Sequence, residues 1–230
     1  MKNKRYYTLV ASLPHLPRFD KAERLPITRE RLIQRLKMLD SEDYKLAEIV
    51  AEFISWRRQP VGRTNAEIVS IYNQGVKLIF ESKLLKPLFE LPVNQKTIIT
   101  ALRRREKGLL CPNQGESWGV GPLVTHIEHN WDKPFFKLQS TYPWIVQAQT
   151  YLQKGELLKL EYLLANLIWN KLEFVLIKNY FGFEVVVAYL LKWDILQQWL
   201  SYNTEEAKAR FDELVLETIN EYEKQSDRKA

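Results

Sequence analysis

Glycine is scarce in this sequence and unevenly placed: eight residues in 230, four of them between positions 108 and 121. Elsewhere the chain runs in long segments of Leu, Ala, Glu, Lys and Gln with apolar residues recurring at three and four positions. Such residues lose little freedom in a helix, and that spacing puts one apolar stripe along it. The expectation is a set of helices joined by short, proline-marked connections, an all-α fold.

The length suits one large domain or two small ones and is sufficient to bury a core without disulfides or metals. Cys111 is the sole cysteine, so no intrachain disulfide can form, and a reducing, cytoplasmic setting is expected. Lys2, Lys4 and Arg5 ahead of the apolar run from Tyr6 to Leu13 have the look of a secretion signal. The run is short, however, and Pro14 and Pro17 follow, so a cleaved signal is not expected. Of the most apolar stretches, Leu157 to Ile177 is interrupted by Lys159, Glu161, Lys171 and Glu173, and Val185 to Leu200 by Lys192 and Asp194. Neither offers the roughly 20 uninterrupted apolar residues of a spanning helix, so no transmembrane segment is expected and any membrane connection would run through a protein partner.

Lys and Arg exceed Asp and Glu by 34 to 28, a net charge of +6, and the isoelectric point is near 9.2. Nucleic acid, an acidic protein surface or anionic lipid would all suit that balance. Opposite charges alternate along most of the chain, which favours a solvated mixed-charge surface.

Ser41 is a possible cap for a helix whose face is Leu46, Ile49, Val50, Phe53 and Ile54, ending before Pro60. Thr64 and Glu67 have capping-box spacing ahead of Ile68, Ile71, Tyr72 and Leu78. Asn94 is a possible cap for a helix through Ile98, Ile99 and Leu102, with Gly108 as its left-handed stop. The Gly/Pro-rich stretch 109–122 then divides an N-terminal helical lobe, 1–108, from a C-terminal one, 123–230, as a hinge or as a packed turn inside one continuous domain. After Pro143 the pattern is helical almost throughout, with breaks at Gly155 and around Asn179 to Gly182. A last helix is capped by Thr204, begins with Glu205 and Glu206, and carries the stripe Phe211, Leu214, Val215, Thr218, Ile219 and Tyr222. The run Tyr6 to Leu13 alternates as a strand would, but no second strand is evident, so a short helix is the better reading.

No glycine-rich phosphate loop, GxSxG elbow, HExxH or CxxC is present. His126, Glu128, His129 and Asp132 place four potential ligands within seven residues, and His126 and His129 would share a helical face. Two surface histidines at a helix end explain that cluster more simply, so no metal or other cofactor is expected. Cys111 would be a nucleophile only if His126 or His129 approached it, and a small buried hydrophobe is its more ordinary role. The run Arg103, Arg104, Arg105, Glu106, Lys107 is the strongest local charge feature. At about 100° per residue the three arginines spread over some 200° of a helix, so one pairs inside the fold while others are left for a partner. Arg57 and Arg58 beside Trp56 form a smaller cluster. Basic residues with aromatics suit single-stranded nucleic acid, but the seven tryptophans are dispersed, and core packing accounts for them better. Neither nucleic acid nor a small-molecule substrate is the expected partner.

The stretch Tyr180-Phe-Gly-Phe-Glu-Val-Val-Val-Ala-Tyr-Leu-Leu-Lys-Trp-Asp-Ile-Leu196 resembles the C-terminal motif of the V-type ATPase adaptor family that joins the central stalk to the membrane rotor. In that family Phe-Gly leads into a helix carrying Ala-Tyr-Leu-Leu. Gly182, Ala188, Tyr189, Leu190, Leu191 and Lys192 match, and Trp193 and Asp194 stand where that family has a Glu pair. Asn94 to Gly108 is similar to the Asn-x-x-x-x-Leu-Arg-x-x-x-x-Gly helices of the same family, through Leu102, Arg103 and Gly108. The opening Tyr6 to Pro14 resembles the start of an uncharacterised bacterial family whose genes accompany V-type ATPase genes. The resemblance implies a superhelical or funnel-like multi-helix bundle of the type found in that adaptor family. It would be a non-catalytic adaptor, cytoplasmic and peripheral to the membrane, between the central-stalk subunits and the proteolipid ring. Arg103, Arg104, Arg105, Tyr189, Trp193 and Trp199 are the expected partner contacts, with burial in the core the competing role for the three aromatics. The alternatives are an assembly factor of the same ATPase, a basic nucleic-acid-binding module, and a metal or thiol enzyme around Cys111, His126 and His129.

Overall fold

The computed structural model describes residues 5–54, 73, 77, 85–113, 115–178 and 181–202, the side chains at 51–54, 175, 177 and 178 excepted. Among these residues the protein is all-α, with no strand. In chain order the helices are α1 (Tyr7–Ser12), α2 (Arg29–Leu36), α3 (Ser41–Ile54), α4 (Lys86–Glu106), α5 (Val124–His129), α6 (Trp144–Gln153) and α7 (Leu157–Lys178), then α8 over 183–202. The alternating run near the N-terminus is thus helical, as α1. The features expected at Trp56 to Arg58, at Thr64, Glu67, Ile68, Ile71, Tyr72 and Leu78, and from Thr204 to Tyr222 lie outside the described residues.

Two helix starts differ from the sequence reading. The carboxylate of Asp40, rather than Ser41, caps α3: its Oδ1 accepts from the backbone N–H groups of Glu42 at 3.2 Å and Asp43 at 3.0 Å. A carboxylate has the further advantage of meeting the positive end of the helix dipole. Asn94 caps nothing. Helix α4 begins two turns earlier at Lys86, with Pro87 in its first turn and Pro92 inside it. A first-turn proline loses an N–H that had no partner, and the interior one is tolerated where packing surrounds it. Asn94 is buried within the helix and donates through Nδ2 to the Tyr142 hydroxyl at 2.8 Å.

Gly108 does end α4, at φ +71°. Its N–H donates to the Arg105 carbonyl at 2.9 Å, and that of Leu109 to the Arg104 carbonyl at 3.0 Å. These are the paired bonds of a Schellman turn, which satisfy carbonyls the helix end leaves over. The same pair of bonds at Gly155 and Glu156 closes α6 and turns the chain back into α7.

Helix α4 is the axis of the fold and packs on α5, α6 and α7, while α6 lies along α7. It buries residues on most of its faces, among them Phe89, Val93, Ile98 and Leu102, as a helix surrounded by others must. Buried apolar residues form two clusters. The first joins α1, α2 and α3 and the N-terminal part of α4 to Trp169 and Leu172 of α7 and the inner face of α8. The second joins the C-terminal part of α4 to α5, α6 and the start of α7. Each cluster draws on residues from both 1–108 and 123–230.

The glycine-rich stretch is fastened to α4. Thr97, 1% exposed, donates its hydroxyl to the Val120 carbonyl at 2.5 Å and accepts the Val120 N–H at 3.1 Å. Thr97→Val keeps the shape and leaves both backbone groups of Val120 unmet. Urea titration should show a loss of about 2 kcal/mol, and a loss below about 0.5 kcal/mol would mean the clamp is not a stability element.

Candidate functional site

Three helices line an open groove of about 350 Å³. One wall is a face of α4, where Lys96, Ile99 and Arg103 recur at three and four residues; α7 contributes Glu161 and Ile168, and α8 contributes Asp194 and Trp199. Helical periodicity explains why each wall holds apolar and charged residues side by side. Basic groups therefore stand on the α4 wall and acidic ones on α7 and α8. Pro92 also lines the groove. Having no N–H, it cannot make the usual helical bond to the Leu88 carbonyl one turn back.

The aromatic face of the groove belongs to a larger stack. The Trp199 ring lies 5.2 Å from Phe19, edge-on, and 5.6 Å from Tyr162. Phe19 is fully buried and also packs 5.5 Å from Trp169. Behind this stack Lys192, 7% exposed, places its ammonium 4.2 Å over the Trp169 ring and 3.3 Å from Glu173 Oε1. Burial holds the Lys192 pKa below its ordinary value, with Glu173 opposing that shift.

The three arginines diverge. Arg103 reaches the groove. Arg104 turns to Glu116, with Nη2 and Oε1 2.8 Å apart. Arg105 donates to the Lys133 carbonyl at 3.0 Å and lays its guanidinium 4.9 Å over the Phe136 ring. They form no continuous basic stripe. Of the three α8 aromatics expected as partner contacts, Trp199 lines the groove, and the other two anchor the N-terminal segment. Trp193, 6% exposed, donates Nε1 to the Ile27 carbonyl at 2.9 Å, and the Tyr189 hydroxyl donates to the Pro14 carbonyl at 2.9 Å. Burial raises the Tyr189 pKa well above its ordinary value.

The histidine cluster does not assemble. Nε2 of His126 is engaged by the Phe136 carbonyl at 3.0 Å, and Nδ1 of His129 by the Thr125 carbonyl at 2.7 Å. Among the described residues no group of three or more His, Cys, Asp or Glu is placed to hold a metal, Asp132 included. Cys111 is exposed, not the buried hydrophobe expected, because its loop runs over the surface. Its sulfur rests 3.7 Å from the Glu128 carbonyl. Desolvation there, reinforced by the carboxylates of Glu128 and Asp132, raises the thiol pKa, the reverse of what an activated nucleophile needs.

Sequence reasoning misses the α7 wall altogether. Leu164 and Ile168 signal a helix face, but nothing in their spacing says that the face lines a cleft between helices distant in sequence.

The fold and groove define an all-α protein, among the described residues, with an open three-helix cleft of mixed charge. The chain belongs to the family described as "Protein of unknown function (DUF2764)", whose model matches residues 66–222. That match contains α4, α7 and α8, all three walls of the groove. No curated protein and no solved structure matches the chain.

Proposed function

We propose that the protein is a non-catalytic helical adaptor that holds another protein at the α4–α7–α8 groove, and that it serves a bacterial V-type ATPase by coupling the central stalk to the membrane rotor ring. The observation that carries this reading is a juxtaposition. The two segments that resemble the ATPase adaptor family, 94–108 and 180–196, contribute to facing walls of one groove: Gln95 and Arg103 come from the first, Leu191 and Asp194 from the second. The volume admits a few large side chains of a partner, not a whole helix. Trp193 and Tyr189 then act from behind, fixing α8 against the N-terminal segment so that the groove keeps its shape under load. A funnel-like arrangement seated on the proteolipid ring, cytoplasmic and peripheral to the membrane, completes the proposal. An assembly factor would make the same contacts but leave the finished enzyme.

The test is co-expression with the central-stalk subunits followed by size-exclusion chromatography at moderate salt. Co-elution in a fixed ratio is expected, with Arg103→Glu weakening the complex about tenfold or more, as reversal of a charge in a partner contact does. Separate elution of the unaltered protein sinks the proposal. Co-elution that Arg103→Glu leaves untouched would move the contact away from the groove.

A further inference from the structure

Tyr202, the last described residue of α8, lines the groove, so the chain beyond it sets out from the groove's edge. The sequence there reads as a second start, with Thr204 as a helix cap and Glu205 and Glu206 in the first turn. Phe211, Leu214, Val215, Thr218, Ile219 and Tyr222 then recur at three and four positions, an apolar stripe that a helix keeps only against an apolar surface. The family match runs through this stripe and stops at Tyr222. The groove offers such a surface. Ile99, Leu164, Ile168 and Ile195 line it beside Trp199. Helix α7 continues the strip outward through Leu158 and Tyr162, 41% and 36% exposed, which stand one turn apart on the face that carries Glu161 and Ala165. Charge does not select the occupant, since Lys96 and Arg103 are balanced in number by Glu161 and Asp194 among the lining residues.

We infer that residues 204–222 cover the α4–α7–α8 groove as a helix, seating Phe211, Leu214 and Val215 on its apolar lining, so that a partner gains the groove only by displacing them. Covalent connection favours this occupant. Phe211 is nine residues past Tyr202, a reach of about 13 Å in a helix and up to about 30 Å extended. A tether of that length holds the stripe near the groove at an effective concentration on the order of millimolar, an advantage no free partner has. The size fits as well. A helix lays a few large side chains into a groove while its backbone stays outside, and about 350 Å³ admits that much. That the displacing partner is a protein rests on the adaptor reading; the cover itself does not.

The experiment is thiol labelling of the full chain by a charged maleimide, without stalk subunits. In a Cys111→Ser background, Thr100→Cys puts the sole thiol on the groove wall. Labelling there should be slow, and should quicken about tenfold or more when Phe211→Asp and Leu214→Asp are added. Cys111 is exposed, and in a chain that keeps it and Thr100 its labelling rate should not change with the two Asp substitutions. Equal rates at the Thr100→Cys thiol with and without those substitutions overturn the inference. So does protection that appears only as the protein concentration rises, which would make the cover a second copy of the chain. A cross-link decides the matter if the Asp substitutions quicken both sites by loosening the whole fold. In the Cys111→Ser background, Thr100→Cys and Leu214→Cys should be joined within one chain by a short bismaleimide, and failure to form that product overturns the inference whatever the labelling rates. Co-elution with the stalk subunits is a separate readout, so the adaptor reading can fail while the cover stands, and the reverse.

Discussion

Gly121→Ala should lower the unfolding free energy by about 3 kcal/mol, a fall of roughly 6–12 °C in Tm for a chain of this size. Two costs combine. At φ +78° an alanine in left-handed backbone loses roughly 1–2 kcal/mol. The added Cβ would also stand 2.5 Å from Cγ1 of Val93, a fully buried residue of α4 with no space to retreat into, and crowding a packed core costs about 1–3 kcal/mol. Gly108 is the internal control. It has a similar φ of +71° with nothing within 4 Å of its would-be Cβ, so Gly108→Ala should show only the backbone cost. Val93→Ala removes the methyl groups in the way, so the Gly121→Ala, Val93→Ala double variant should be more stable than the sum of its parts predicts. Strict additivity would mean that the loop does not press on α4.

That contact also shows what the sequence conceals. Glycine and proline counts pick out 109–122 as the place where helices stop, and the Gly108 terminator is legible because a helix end demands a left-handed residue. The same counts do not reveal that Gly121 is pressed against Val93 or that Thr97 clamps Val120, since both contacts join segments more than twenty residues apart. The start of α4 is hidden for a related reason. Pro92 looks like a stop on local rules, yet burial of Phe89, Val93 and their neighbours carries the helix through it. Among the candidate site residues, the spread of Arg103, Arg104 and Arg105 follows from helical geometry alone. Their separate destinations depend on Glu116 and Lys133, which periodicity cannot place. The groove is illegible as a whole, being made by three helices whose charged residues read individually as ordinary surface.

Tyr6→Phe should cost about 2–3 kcal/mol near neutral pH and change how stability depends on pH above 10. The Tyr6 hydroxyl is shared by two carboxylates of the α3 cap region, Asp40 at 2.9 Å and Asp43, and Asp43 is only 3% exposed. Hydrogen bonds to charged acceptors contribute about 1.5–3 kcal/mol, and the partial exposure of Tyr6 keeps the sum below twice that. The backbone N–H of Tyr6 donates to the Phe181 carbonyl at 2.7 Å, and the Tyr7 ring packs 4.5 Å from that of Phe181. Tyr6 thereby joins α1, α3 and the Phe-Gly turn that leads into the α8 wall of the groove. Burial, and then donation to Asp43 and Asp40, raises the Tyr6 pKa far above its ordinary value of 10.0. The fold therefore favours the protonated phenol. Its contribution is complete below pH 10, where the unfolded tyrosine is protonated too, and is lost as rising pH ionises the unfolded chain but not the native one. Lys192, whose pKa is lowered by burial, works in the opposite sense, but only up to its ordinary 10.5; Tyr189, also shifted upward, adds to the alkaline loss. Denaturant titrations between pH 8 and pH 11.5 should show the parent falling more steeply above pH 10 than Tyr6→Phe, so that the gap between them narrows. Parallel curves would mean that this hydroxyl is not what ties α1 to α3.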